Sequence, residues 1–232
     1  MIRKEWFRFK KMRILLAWIG APLLFFFSHI SAASFFWGAL LMVLGELTRL
    51  WALSFMERKG TRLAVGGPYA FSRNPLYVGN FFLGLGVIVI CANWIIAVLF
   101  LAGYSVMYLG TIRQEEKELR ERFGKVYEDY CRHVPRLFPR LTPYGTPDKT
   151  AFDWKRIFRH HEYVTVLGVA LLLCGIHLYD TLFLQKEPLA SQTGSIVALL
   201  VLLAVLIFER LFISNFKQMF AEGLPNLFLK KK

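Results

Sequence analysis

Two polar blocks hold most of the residues able to do chemistry. The first, Gly67–Gly79, reads GPYAFSRNPLYVG, and the second, Arg113–Pro135, reads RQEEKELRERFGKVYEDYCRHVP. In and just before the first block, Gly60, Gly66 and Gly67 allow close backbone approach and unusual dihedrals. Pro68 and Pro75 hold the residues before them in extended geometry. Between these prolines lie Tyr69, Arg73 and Asn74. One use of such a loop is a membrane-interface turn, with tyrosine anchoring at headgroup depth and arginine snorkelling. The other is one wall of a polar pocket.

The second block has the pattern of an amphipathic helix, with Leu119, Phe123, Tyr127 and Tyr130 on one stripe and Val126 beside them. Most of its charges fall into helical pairs: Glu116 with Arg120, Lys117 with Glu121, Glu118 with Arg122 and Glu121 with Lys125. Charges paired in this way need no function. Glu115 differs, because its neighbours three and four residues on are Glu118 and Leu119, which places it on the apolar side without a basic partner. An unpaired carboxylate at the end of an apolar run is a site candidate. Glu46 and Arg49 are three apart inside another apolar run. They either neutralise each other or leave Arg49 to meet the headgroup or acidic end of a lipid-like substrate. Gly124 marks a bend.

The elements that must position these residues are membrane helices. The chain has 232 residues, 56% of them hydrophobic and 16% aromatic, with a mean hydropathy of +0.43. A water-soluble domain of this length would have too little polar surface left to face water. Six runs are long enough, or nearly so, to cross about 30 Å of hydrocarbon as helices. They are Ile14–Ile30, Phe35–Met56, Leu76–Ala92, Trp94–Ile112, Tyr163–Leu184 and Gly194–Ile213. The runs are continuous and do not alternate, so the expected fold is an all-α polytopic bundle and not a β-barrel. Only Asn93 separates the third and fourth runs, which therefore form a tight antiparallel hairpin that returns both polar blocks to one membrane face.

Net charge is +13, and its distribution follows topology. With six spans and the N-terminus inside, one face receives the basic N-terminal segment, Arg58, Lys59, Arg62, Arg73, the run Arg113–Arg159, Lys217 and Lys230–Lys232. The other receives Lys186. That asymmetry places both termini and both polar blocks in the cytoplasm, beside anionic headgroups. It accounts for the charge without nucleic acid as a partner. The basic head, apolar run and Ser31-Ala32-Ala33 resemble a secretory signal, but an uncleaved first helix that pairs with the second is expected.

Cys91, Cys131 and Cys174 show neither metal spacing nor a disulfide framework. His160 and His161 are adjacent and have no second ligand pair near them, so no metal site is expected. His29, His177, Asp180 and Glu209 read as helix-end residues. Pro135, Pro139, Pro143 and Pro147 end helical structure. They divide the chain into a core over 1–140 and an accessory part over 141–232. The core holds four spans and both polar blocks. The accessory part comprises a Pro-rich linker, the interfacial segment Phe152–His161 and a two-helix hairpin that offers a surface for a second copy of the chain.

GPYAFSRNPLYVG, the Glu115–Glu116 pair and LRERFGKVYEDYCRHVP resemble the isoprenylcysteine carboxyl methyltransferase family and its phospholipid methyltransferase relatives. The resemblance covers about residues 45–139, including GELTRLWA at Gly45–Ala52. It implies an integral-membrane methyltransferase that uses S-adenosylmethionine, has no Rossmann domain and acts on a lipophilic membrane substrate. It also implies a cofactor pocket formed by Tyr69, Arg73, Asn74, Pro75, Tyr77, Gly79, Glu115, Glu116, Tyr127 and Tyr130, with Glu115 and Arg49 acting on the acceptor. The chain departs from the motif at Asn74, where the family carries histidine. Asparagine can supply a hydrogen bond but cannot titrate near neutrality. Two other readings compete. Membrane sterol reductases carry a similar motif and bind NADPH, although Asn80 stands where an acidic residue is expected for them. A non-catalytic membrane partner would leave Glu115 and Arg73 without a purpose.

Overall fold

The structure is a computed structural model that describes residues 29–56, 62–145 and 152–223. The expected span Ile14–Ile30 lies almost wholly outside the described residues. Those residues form seven α-helices and no strand. Helices α1 (Ala32–Phe55), α3 (Trp94–Phe123), α6 (Glu162–Tyr179, continued by a π-helical turn to Leu184) and α7 (Thr193–Gly223) each carry an apolar stretch long enough to cross a membrane. Helix α2 (Pro75–Cys91) is apolar and shorter, with 17 residues. At 1.5 Å per residue it measures about 26 Å. The expected all-α membrane bundle is borne out.

Local chemistry sets the helix ends. Ser31 and Ser34 form a capping box at the start of α1. Pro75 opens α2 at the first helical position, where its missing N–H costs nothing. The expected hairpin turn is two residues long. Ala92 takes a left-handed conformation (φ 49°), and Asn93 then caps α3 through bonds from Ile95 N and Ile96 N to its Oδ1 at 2.9 and 3.4 Å. Helix α3 runs unbroken through its span into the charged block and stops at Gly124, whose φ of 51° suits glycine. Helix α4 (Lys125–His133) follows, and the proline series then runs without helix to residue 145.

The described residues up to Glu162 form one compact unit. In it α1 and α2 pack antiparallel at very close range. A Cβ on Gly45 would lie 2.7 Å from Gly79 O, and one on Gly38 would lie 2.5 Å from Gly86 O. Two glycine pairs, two turns apart along each helix, thus let the backbones touch, which is how helices gain van der Waals contact in a medium with no hydrophobic drive. Gly79 therefore has a packing reason to be glycine. The other wall of α2 meets α3 through aromatic rings, with Tyr77, Phe81, Phe100, Tyr104 and Tyr108 in a continuous series of contacts. Short α5 (Trp154–Arg159) contacts α1, with Arg156 Nη1 donating to Ser54 O at 3.3 Å.

Residues from Tyr163 form a second unit. Within it Tyr163 donates to Glu209 Oε1 at 2.7 Å, and Gln185 donates to Asp180 Oδ2 at 2.7 Å. Both acids thus have local structural partners. The compact units divide at Glu162, later than the change in sequence character near 140.

Filling one glycine contact tests the α1–α2 crossing. Gly86→Leu drives side-chain atoms into Met42 and the Gly38 carbonyl. It should cost about 1–3 kcal/mol or more, read as a lower unfolding temperature in detergent. Gly103→Leu, where a Cβ meets nothing within 4 Å, should leave that temperature nearly unchanged.

Candidate functional site

The two polar blocks meet, and Glu116 is where they meet. Its side chain is 5% exposed. Arg136 donates from Nε to both carboxylate oxygens at 3.2 and 3.1 Å and from Nη2 to Oε2 at 2.7 Å. Arg73 Nη2 lies 3.5 Å from Oε1, and Asn74 Nδ2 donates to the same oxygen at 3.3 Å. The loop, helix α3 and the proline-rich tail are thereby joined at one carboxylate. Backbone bonds reinforce the junction: Arg73 N to Pro135 O at 2.9 Å, Arg140 N to Phe71 O at 3.0 Å and Tyr144 N to Ala70 O at 3.0 Å. Ser72 Oγ donates to Leu137 O at 3.1 Å, and Asn74 Nδ2 donates to Arg136 O at 3.0 Å.

Helix α4 packs its tyrosines against this loop. Tyr127, Tyr130 and Val134 are buried, with Leu119 and Phe123 packed against them. The expected stripe is present, although Val126 is exposed. Tyr130 donates to Tyr69 O at 2.6 Å. Burial pushes the phenols of Tyr69, Tyr127 and Tyr130 upward, so all three remain neutral hydroxyls at any physiological pH.

Two expectations from helical spacing are corrected. Glu116 does not serve as a surface partner of Arg120; it is the buried acid. Its true partners come from Arg73 and Arg136, whose separation in sequence hides them from an i,i+4 search. Nor is Glu115 unpartnered: it is exposed and accepts a 2.8 Å bond from Tyr77 Oη. Tyr77 also accepts at its carbonyl from Tyr104 Oη at 2.6 Å, which ties α2 to α3 at this level. Of the expected surface pairs, Lys117–Glu121 stands at 3.9 Å, with both groups about two-thirds exposed.

Arg49 lies elsewhere on α2's surroundings. It pairs with Glu162 Oε1 through Nε and Nη2, both at 2.6 Å, and donates to Asn80 Oδ1. Glu46, the expected partner, is 3.8 Å away. Pro75 is buried at the start of α2, and Gly79 faces Arg49 and Gly45.

Sequence reasoning missed Arg136, Asn80, Glu162 and Cys131. The Cys131 thiol receives a bond from Arg73 Nη1. Nothing in local periodicity marks these residues, since each contact joins distant parts of the chain.

Two buried polar atoms in this region, Tyr69 Oη and Arg73 Nε, have no hydrogen-bond partner, and Tyr127 Oη has only the weak acceptor of the Cys131 thiol beside it. Buried donors are nearly always satisfied, so these orphans fit a site that a polar ligand completes. Among the described residues no group of three or more His, Cys, Asp or Glu is placed to hold a metal ion.

Fold and site define an α-helical integral-membrane protein with a polar site at one end of a helical hairpin. Residues 18–121 match the isoprenylcysteine carboxyl methyltransferase family, and over that segment the chain is isoprenylcysteine carboxyl methyltransferase-like. A nickel-cobalt-cadmium resistance protein of Alcaligenes xylosoxydans xylosoxydans is 37% identical over 49% of this chain and 53% of its own length. A cobalt-zinc-cadmium resistance protein of Cupriavidus metallidurans is 32% identical over 57% of this chain and 63% of its own. The protein-S-isoprenylcysteine O-methyltransferase of Schizosaccharomyces pombe is 35% identical over 37% of this chain and 36% of its own. The chain thus spans between about a third and two-thirds of these relatives. No solved structure matches it.

Glu116 supplies the test of the junction. Glu116→Ala leaves Arg73 and Arg136 facing a vacancy and should cost about 3–5 kcal/mol, the usual consequence of breaking a buried pair. Glu121→Ala should cost less than about 0.5 kcal/mol, as exposed helical pairs do. Thermal unfolding in detergent reads both.

Proposed function

We propose that the chain transfers a methyl group from S-adenosylmethionine to the carboxylate or amine of a lipophilic acceptor, at the cytoplasmic membrane interface. The observation that carries this reading is the junction at Glu116. The family-matched loop and helix converge there with the tyrosine-bearing tail, leaving Tyr69 and Arg73 with buried, unused donors. Such donors suit a ligand that ends in an amino-acid zwitterion.

The cofactor, when bound, supplies an electrophilic methyl on a sulfonium centre. This chain's residues do the rest. Arg73 holds charge of the right sign for a carboxylate end. Asn74 and Glu116 hold Arg73 in place, and the rings of Tyr127 and Tyr130 close the site to water. Displacement at a methyl carbon gains most from alignment and exclusion of water. A carboxylate acceptor needs no base. An amine must first lose a proton, and Glu115 is the acidic side chain available to take it, with Tyr77 fixing its orientation. Tyr69, Asn74, Pro75, Tyr77 and Gly79 shape the pocket wall, and Arg49 serves the acceptor side. The core over 1–140 carries most of this chemistry, with Glu162 joining it through its pair with Arg49, and the rest of the hairpin in 141–232 serves attachment or association with a second copy.

Purified protein in detergent is expected to bind S-adenosylhomocysteine and to ignore NADPH, as measured by equilibrium dialysis. Binding of NADPH alone would overturn the methyltransferase reading in favour of a reductase. Glu115→Ala should abolish methyl transfer to an amine while Glu118→Ala retains it. Arg49→Ala should raise the acceptor KM at least tenfold and leave cofactor affinity within about twofold; an unchanged acceptor dependence would reduce Arg49 to a structural group.

A further inference from the structure

Arg49 stands between two carboxylates in an enclosed site. Side-chain exposure is 15% for Arg49, 6% for Glu162 and 8% for Glu46. The guanidinium is already spent. Two of its nitrogens bind Glu162 Oε1 at 2.6 Å, and the third binds Asn80 Oδ1. Glu46 lies beside Glu162, within reach of a shared proton, and 3.8 Å from Arg49 Nε, and both its buried carboxylate oxygens receive no bond from an N–H donor. With both acids ionised, two carboxylates against one guanidinium leave an excess negative charge.

A carboxylate ligand brought here would meet two carboxylates and would have to displace Glu162 from Arg49. An ammonium supplies what is lacking, namely positive charge and up to three N–H donors for acceptors that have none. The cluster is also placed to act on the acceptor. Asn80 follows Tyr77 by three residues on α2, so the two lie on neighbouring positions of one helical face. Tyr77 in turn holds Glu115. Glu162 lies beyond the family-matched segment, which ends at residue 121.

We propose that Glu46, Glu162, Arg49 and Asn80 form a binding site for the cationic amino headgroup of a lipid. On the methyltransferase reading given above, this makes the acceptor an amine and not a carboxylate. Arg49 orders the two acids, and Glu46 is the group that touches the ligand.

The binding claim is tested without any methyl donor. In detergent, dodecylammonium should raise the unfolding temperature of the full chain while dodecanoate does not, and Glu46→Gln should abolish the rise. Equal effects of both amphiphiles, or a rise that survives in Glu46→Gln, overturn the site. Either result leaves a proton shared between Glu46 and Glu162 as the structural solution. The acceptor claim is read in nanodiscs with methyl-labelled cofactor, offering phosphatidylethanolamine and a farnesylcysteine side by side. Label in base-stable N-methyl groups is expected, falling at least tenfold in Glu162→Gln. Label confined to a base-labile ester overturns the amine assignment while the methyltransferase reading stands. Failure to bind S-adenosylhomocysteine at all sinks that reading and leaves the amphiphile result to judge the site alone.

Discussion

The buried carboxylate of Glu116 is the constraint on which the rest of the site depends. An acid taken out of water must be paired and hydrogen-bonded or its desolvation goes uncompensated. Here Arg136 supplies a forked contact, Arg73 a second charge and Asn74 an amide donor. These three residues come from a loop before the helical hairpin and a tail after it. Satisfying one acid therefore fixes the relative position of the loop, the end of α3 and the proline-rich tail. The backbone bonds between 70–73 and 135–144 follow from that placement.

The junction would not form if α1 and α2 did not hold the loop's two ends. Inside a bilayer, apolar side chains gain nothing by leaving lipid, so helices associate through close packing and polar contacts. The pairs Gly38–Gly86 and Gly45–Gly79 bring the backbones together, and Arg49 reaches past Gly79 to Asn80 on the neighbouring helix. Glycine contact and buried charge thus occupy one helix interface. The aromatic series from Phe100 to Tyr108 seats α3 on the other side of α2. Glu115 and Glu116 are carried at its end.

Apolar run length and turn chemistry made the bundle legible. The turn at Asn93 and the break at Gly124 appear where the sequence places them, because capping and left-handed backbone are local properties. The same holds for the loss of helix after Pro135. The convergence of the two polar blocks was legible as well, since a hairpin leaves no other arrangement. Which of the adjacent acids is buried was not. Helical spacing assigned Glu116 to Arg120 and left Glu115 alone, whereas a one-residue step of about 100° turns Glu116 inward. The partners that decide the matter, Arg136 and Arg73, lie outside α3. Arg49 shows the same limit: Glu46 is near it in sequence, yet Glu162 and Asn80 take the guanidinium.

Asn74 shows why a departure from the family motif is tolerable at this junction. Its amide nitrogen donates at once to Glu116 Oε1 and to the Arg136 carbonyl. The position thus needs a donor that serves an acid and a carbonyl together. A neutral imidazole has a single N–H and would leave one of those acceptors unserved. A protonated one would serve both only by adding a third positive charge around one carboxylate already flanked by Arg73 and Arg136. The primary amide meets both demands without charge and without titrating. Asn74 is therefore a neutral donor that holds the junction closed.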